Sequence, residues 1–141
     1  MPLSAPSPPP GSLPLDQALH DAEWCLFRVS RPNVLLIGRD IDIELAIVSI
    51  TGWGGEEVGL WPEAEAHAFG SRPGTLVVRN VMNLDRREQA RLNDWLAERG
   101  DEVRVIATSP QPLYDRVERR EFLEPLYYRL NVVCLDAQDL G

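Results

Sequence analysis

Gly74-Thr75-Leu76-Val77-Val78-Arg79-Asn80, Val103-Arg104-Val105-Ile106-Ala107-Thr108-Ser109 and Leu126-Tyr127-Tyr128-Arg129-Leu130-Asn131-Val132-Val133 follow one another in the second half of the chain. Residues 75–78 and 103–107 are short runs rich in β-branched side chains, interrupted in the second by Arg104. Such runs suit strands of a sheet that is covered on both faces. Between them Asp85 and Glu88 stand in the D-x-x-E spacing of a capping box. Leu84, Leu92, Trp95 and Leu96 supply a helical stripe, and Gly100 ends it. A helix is expected over part of residues 113–120 and another over 122–129, before a last strand at 132–135.

Working outward, Val34-Leu35-Leu36-Ile37 ends at Gly38 and reads as a central parallel strand. Asp40 can cap a following helix with Ile41, Leu45, Ala46 and Val48 or Ile50 turned inward. The β-branched residues among 46–50 leave a switch to strand open. Gly52, Gly54 and Gly55 mark a loop, residues 58–61 a short strand, and Pro62 the first turn of a helix through Ala64, Ala66 and Ala68. Residues 15–29 show a helical stripe of Ala18, Leu19, Ala22, Leu26 and Val29. Residues 1–14 are proline-rich and are expected to form an extended, disordered tail. The domain is thus 15–141. Strands alternating with helices predict a three-layer α/β/α sandwich with a mainly parallel sheet.

Composition narrows the function. The formal net charge of −8 opposes sequence-independent contact with nucleic acid. Arg86, Arg87 and Arg91 alternate with Asp85, Glu88 and Asp94, as on a solvated helix face. Cys25, Cys134, His20 and His67 are too scattered for a metal site, so no metal and no cofactor is expected. The N-terminus lacks a basic start and an apolar core, and no apolar run approaches the ~20 residues of a membrane span. The expectation is a cytoplasmic protein.

In their order and wording the three opening stretches resemble the central AAA+ ATPase domain of sigma-54-dependent transcription activators. The resemblance is strong from Gly74 onward and weak before it. It implies a P-loop NTPase-like core, here truncated and without the helical lid that follows in the family. That family carries G-x-x-x-x-G-K-[ST] after its first strand, where glycine N–H groups and a lysine hold phosphate. This chain reads Gly38-Arg39-Asp40-Ile41-Asp42-Ile43-Glu44, which puts Glu44 at the lysine position. The family follows glycine-threonine-leucine and two apolar residues with aspartate and glutamate, for metal and water. Here Arg79 and Asn80 occupy those places, and neither binds a cation nor acts as a base. Thr108-Ser109-Pro110 replaces the family's asparagine that senses the γ-phosphate.

The last stretch is similar to the family's F-R-x-D-L-Y-Y-R-L-N. Arg129 matches one of two arginines that reach a neighbouring subunit's nucleotide, whereas Leu123 replaces the other and Pro125 the aspartate. No counterpart of the family's G-A-F-T-G-A loop is present. The resemblance therefore implies a non-catalytic protein-interaction or regulatory module of bacterial transcription or signalling. Gly38, Arg39, Asp40, Glu44, Arg79, Asn80 and Ser109 would line its vestigial nucleotide site. Trp53 and Trp61 are candidate interface residues, a protein partner is expected, and self-association is left open. The alternative is a weak nucleotide-binding protein or ATPase, with Arg129 acting in trans as an arginine finger.

Overall fold

A computed structural model of the chain describes residues 30–51, 57–66, 69–70 and 74–139. The chain divides into two units, Met1–Arg31 and Pro32–Gly141, and the elements below belong to the second. The expected tail, the helix at 15–29, Cys25, both histidines and Trp53 lie outside the described residues.

Among the described residues five strands form one sheet: β1 (Val34–Ile37), β2 (Glu57–Leu60), β3 (Gly74–Val78), β4 (Val103–Ser109) and β5 (Val133–Asp136). Their order is β2-β3-β4-β1-β5, and each recorded pairing is parallel, so the expected "mainly" is stricter in fact. Among the described residues the α-helices placed around it are α1 (Asp40–Thr51), α2 (Arg86–Arg99), α3 (Tyr114–Glu118) and α4 (Glu124–Leu130).

The sheet is apolar on both sides because helices cover both. Leu35, Leu76, Val78, Val105 and Ala107 face one core with Leu92, Trp95 and Leu96 of α2, Val117 of α3, and Leu126 and Leu130 of α4. Side chains alternate along a strand, so Val34, Leu36, Val77 and Ile106 face the other way. There α1 buries Ile43, Ala46, Ile47 and Ile50. Buried Arg104 ties the two layers, donating to the Ile50 carbonyl at the end of α1 (3.3 Å) and to Thr75 Oγ1 (3.4 Å).

Helix α2 starts as its sequence predicts. The Asp85 carboxylate accepts from the Glu88 N–H (2.8 Å), and the Glu88 carboxylate accepts from the Asp85 N–H (2.9 Å). Its end differs from the expected glycine stop. Gly100 stays right-handed, and the chain tightens into a 3-10 turn over Gly100–Glu102.

Two further differences concern residues 40–66. The β-branched segment 46–50 is helical throughout. The face is not the one expected: Ile41, Leu45 and Val48 point outward, and Ile43 and Ile47 go in with Ala46 and Ile50. The helix carries apolar residues on all sides, so its own pattern holds no phase, and contact with the sheet and with a 3-10 turn at Ala137–Asp139 sets it. After β2 the expected helix at Pro62 is a 3-10 turn, Glu63–Ala66.

Candidate functional site

β1 and β4 are neighbours, but the helices that follow them leave to opposite faces of the sheet. The crevice beyond the carboxyl ends of such strands is where ligands of open α/β sheets bind. The candidate residues from β1, α1, β3 and β4 converge on this end.

Gly38 makes the turn from β1 into α1. Its φ of 156° is a conformation that L side chains avoid, and an added Cβ would meet the Ala137 Cβ at 3.2 Å. Its N–H donates to the Ser109 carbonyl (3.1 Å), which joins the β1 turn to the end of β4. Asp40 lies in the first turn of α1 rather than outside it as a cap. Arg39 donates from Nε to Asp42 (3.0 Å), and its side chain stands largely in solvent.

The central contact joins β3 to α1. Arg79 follows β3 directly and presents both terminal nitrogens to the Glu44 carboxylate, Nη2 to Oε1 at 3.1 Å and Nη1 to Oε2 closer still. Both side chains are about half exposed, at 47% and 53%. The sequence comparison put Glu44 at the phosphate-binding lysine and Arg79 at the metal-binding acid. The fold brings these two positions into contact with their charges exchanged.

Asn80 sits beside this pair in the left-handed region, at φ 48° and ψ 65°. Asparagine tolerates that region better than most residues. Its backbone N–H donates to Thr108 Oγ1 (2.8 Å), and its own Oδ1 is buried with no protein partner among the described residues. Thr108, not Ser109, therefore links the ends of β3 and β4. Ser109 is fully buried and its hydroxyl is committed to its own turn, donating to the Gln111 carbonyl while the Gln111 N–H returns to Oγ at 3.3 Å. The Ser109 hydroxyl is thus engaged within its own turn. The signal for this was local: Pro110 follows, so a turn had to begin at Ser109.

Arg129 lies elsewhere. Its carbonyl accepts from Asn33, which precedes β1, so α4 ends near the amino ends of the strands. Its Nε donates to Asn93 of α2 (3.0 Å). It does not join the crevice of its own chain. Trp61 packs edge-on against Trp95, with ring centroids 5.8 Å apart, and is half-buried there.

A cavity of about 490 Å³ lies between the start of α2 and the α3–α4 segment, bounded by Arg86, Tyr114, Glu118 and Arg120. The Glu118 carboxylate, ahead of smaller effects from neighbouring tyrosines and burial, pushes the Tyr114 phenol above its ordinary value. None of the candidate residues of the crevice borders this cavity. Among the described residues no cluster of histidine, cysteine or carboxylate side chains could hold a metal ion. No described helix is long and apolar enough to cross a membrane.

Comparison with known proteins agrees with this architecture. Among solved structures the chain is similar to NtrX from Brucella abortus in complex with ATP, with a TM-score of 0.59 and 19% identity, covering 89% of this chain and 35% of that one. The ADP complex of the same protein gives a TM-score of 0.59 and 19% identity over 85% of this chain and 36% of that one. A third NtrX structure gives 0.57 and 18%. At such identities the likeness is one of fold, and the chain spans about a third of the length of these neighbours. No curated protein matches the chain. The model of the sigma-54 interaction domain family matches residues 63–140, more than half of the sequence. The chain belongs to the sigma-54 interaction domain family.

Proposed function

We propose that this chain is a non-catalytic member of its family, a cytoplasmic protein-interaction or regulatory module of bacterial transcription or signalling. The observation that carries the reading is the Glu44–Arg79 pair across the crevice. A triphosphate entering there meets a carboxylate where it needs a cation, and magnesium meets a guanidinium where it needs an acid. Each charge opposes one part of the ligand, Glu44 the phosphates and Arg79 the metal, and the two are already paired with each other. Asn80 adds a neutral amide with no basic lone pair to activate water. A protein partner that docks over this end of the sheet has no such barrier, because it can meet the pair's half-exposed outer edges.

The competing reading is retained nucleotide binding, favoured by the ATP complex of a protein with the same fold. Calorimetric titration of the full chain with Mg-ATP separates the two. The proposal expects no binding heat up to about 1 mM nucleotide, and micromolar affinity would defeat it. A pull-down from the native host, read against the Arg79→Glu variant, then tests the interaction role. Recovery of no reproducible partner by the wild-type chain would count against a binding module.

A further inference from the structure

The cavity beside the start of α2 lies apart from the crevice, and its walls carry charges of both signs. Arg86 and Arg120 supply the cations, Glu118 and Glu124 the anions. Among the described residues none of the four has an ion-pair partner, although they border one space. Opposite charges within reach would pair directly, as Arg119 and Glu121 of the same segment do at 3.5 Å. The two signs are held apart across the cavity.

The backbone fixes the positive end. Arg120 stands in the left-handed region at φ 61°, and its carbonyl accepts from Nη2 of Arg86. That carbonyl is neutral, so the contact holds the Arg86 guanidinium in place and leaves its charge uncompensated. Helices α3 and α4 build the negative end. Tyr114 and Glu118 stand four residues apart on α3, on one face, and Glu124 opens α4. The Tyr114 phenol is pushed up by Glu118 first and, after Tyr128 and burial, by Glu124, so both acids act on that ring. Between the ends Val117 and Phe122 form an apolar floor, 8% and 3% exposed. At about 490 Å³ the space falls within the roughly 300–1,000 Å³ of small-molecule sites.

The walls select the ligand. A ligand of one charge is attracted at one end and repelled at the other. A metal ion meets two guanidinium groups, and a wholly apolar ligand strips water from charges without pairing them. A molecule that carries both charges and an apolar group matches all three surfaces. We propose that this cavity binds a small zwitterion, an α-amino acid with an apolar side chain. Its carboxylate takes the end held by Arg86 and Arg120. Its ammonium lies among Glu118, Glu124 and the half-exposed Tyr114 ring, and its side chain covers Val117 and Phe122. The proposal does not depend on the state of the nucleotide crevice, none of whose residues borders the cavity.

Titration of the isotope-labelled full chain with L-leucine, followed by amide chemical shifts, tests it. Shifts should gather at residues 114–124 and at the start of α2, with a Kd of about 0.1–1 mM. The analogues 4-methylpentanoate and 3-methylbutylamine each lack one charge and should bind at least about tenfold more weakly. Glu118→Gln and Arg120→Gln should each weaken L-leucine by about tenfold with an unchanged urea midpoint, and Arg120→Lys should restore binding. Absence of shifts at about 10 mM L-leucine overturns the proposal, as do shifts centred elsewhere. Equal affinity for either analogue would overturn it too, since the site would then read only one charge. So would Gln variants that bind like the wild type, or a loss at Arg120→Gln that lysine does not restore.

Discussion

Gln89 offers the sharpest test of the packing that frames this fold. It lies on α2, is 3% exposed, and its amide is fully engaged. Nε2 donates to the Leu84 carbonyl (3.0 Å) and to the Glu121 carbonyl (3.2 Å), and Oε1 accepts from the Leu123 N–H (2.9 Å). These partners fix which way the amide points, since two acceptors need the nitrogen and one donor needs the oxygen. The side chain thereby holds the start of its own helix to the segment that leads into α4. Replacing it with leucine removes three hydrogen bonds. At about 1 kcal/mol net for each, the cost is about 3 kcal/mol, with a further contribution where the Leu123 N–H stays buried and unpaired.

Gln89→Glu keeps the shape but turns an oxygen toward two carbonyls. The new carboxyl does best by keeping its proton and donating to one of them, so its folded pKa rises above the usual value of about 4.3. A raised value means the penalty is least below that pH and grows as pH climbs through the folded pKa. Urea unfolding followed by tryptophan fluorescence, at pH 7 and again near pH 5, measures this. Gln89→Glu should lose about 3 kcal/mol relative to wild type at pH 7 and less near pH 5. A variant within about 0.5 kcal/mol of wild type at pH 7 would refute the hydrogen-bond assignment.

A double-mutant cycle on Glu44→Gln and Arg79→Gln should return a coupling of about 0.5–1 kcal/mol that shrinks in 1 M salt, as expected of a half-exposed bidentate pair; zero coupling in low salt would show that the two do not meet. Asp85→Ala removes one half of the capping box and should cost about 1 kcal/mol in urea unfolding, with a loss under 0.3 kcal/mol counting against it. At Cys134, partial burial and then the nearby Asp136 charge push the thiol above its ordinary value. Its contribution to stability is therefore complete below the ordinary thiol range and is lost as pH rises through the folded value. Iodoacetamide labelling at pH 7.5, resolved by peptide mass spectrometry, should be slower at Cys134 than at a free thiol, and an equal rate would contradict the shift.

Features that depend on neighbours along the chain were legible in the letters alone. The short runs at 34–37, 74–78 and 103–109 became strands because a sheet covered on both faces buries consecutive positions along a strand. The capping box at Asp85 and Glu88 needs only one turn of helix, and it formed as written. The chemical identity of Glu44, Arg79 and Asn80 was likewise plain in the letters.

Tertiary structure decided the rest, because those outcomes rest on contacts between residues far apart in the chain. Glu44 and Arg79 stand 35 positions apart, and only the carriage of α1 across the sheet from β1 brings its acid to the end of β3. The choice of Thr108 over Ser109 as the bridge to Asn80 depended on which residue of β4 points toward β3 and which begins the next turn. Gln89 gave no sign of its role, since its partners lie both at the start of α2 and 32 to 34 residues onward. Most of all, α1 had no phase of its own. With apolar residues on every side, contact with the sheet and with the 3-10 turn at Ala137–Asp139 selected which ones it would bury, and left Ile41, Leu45 and Val48 facing out.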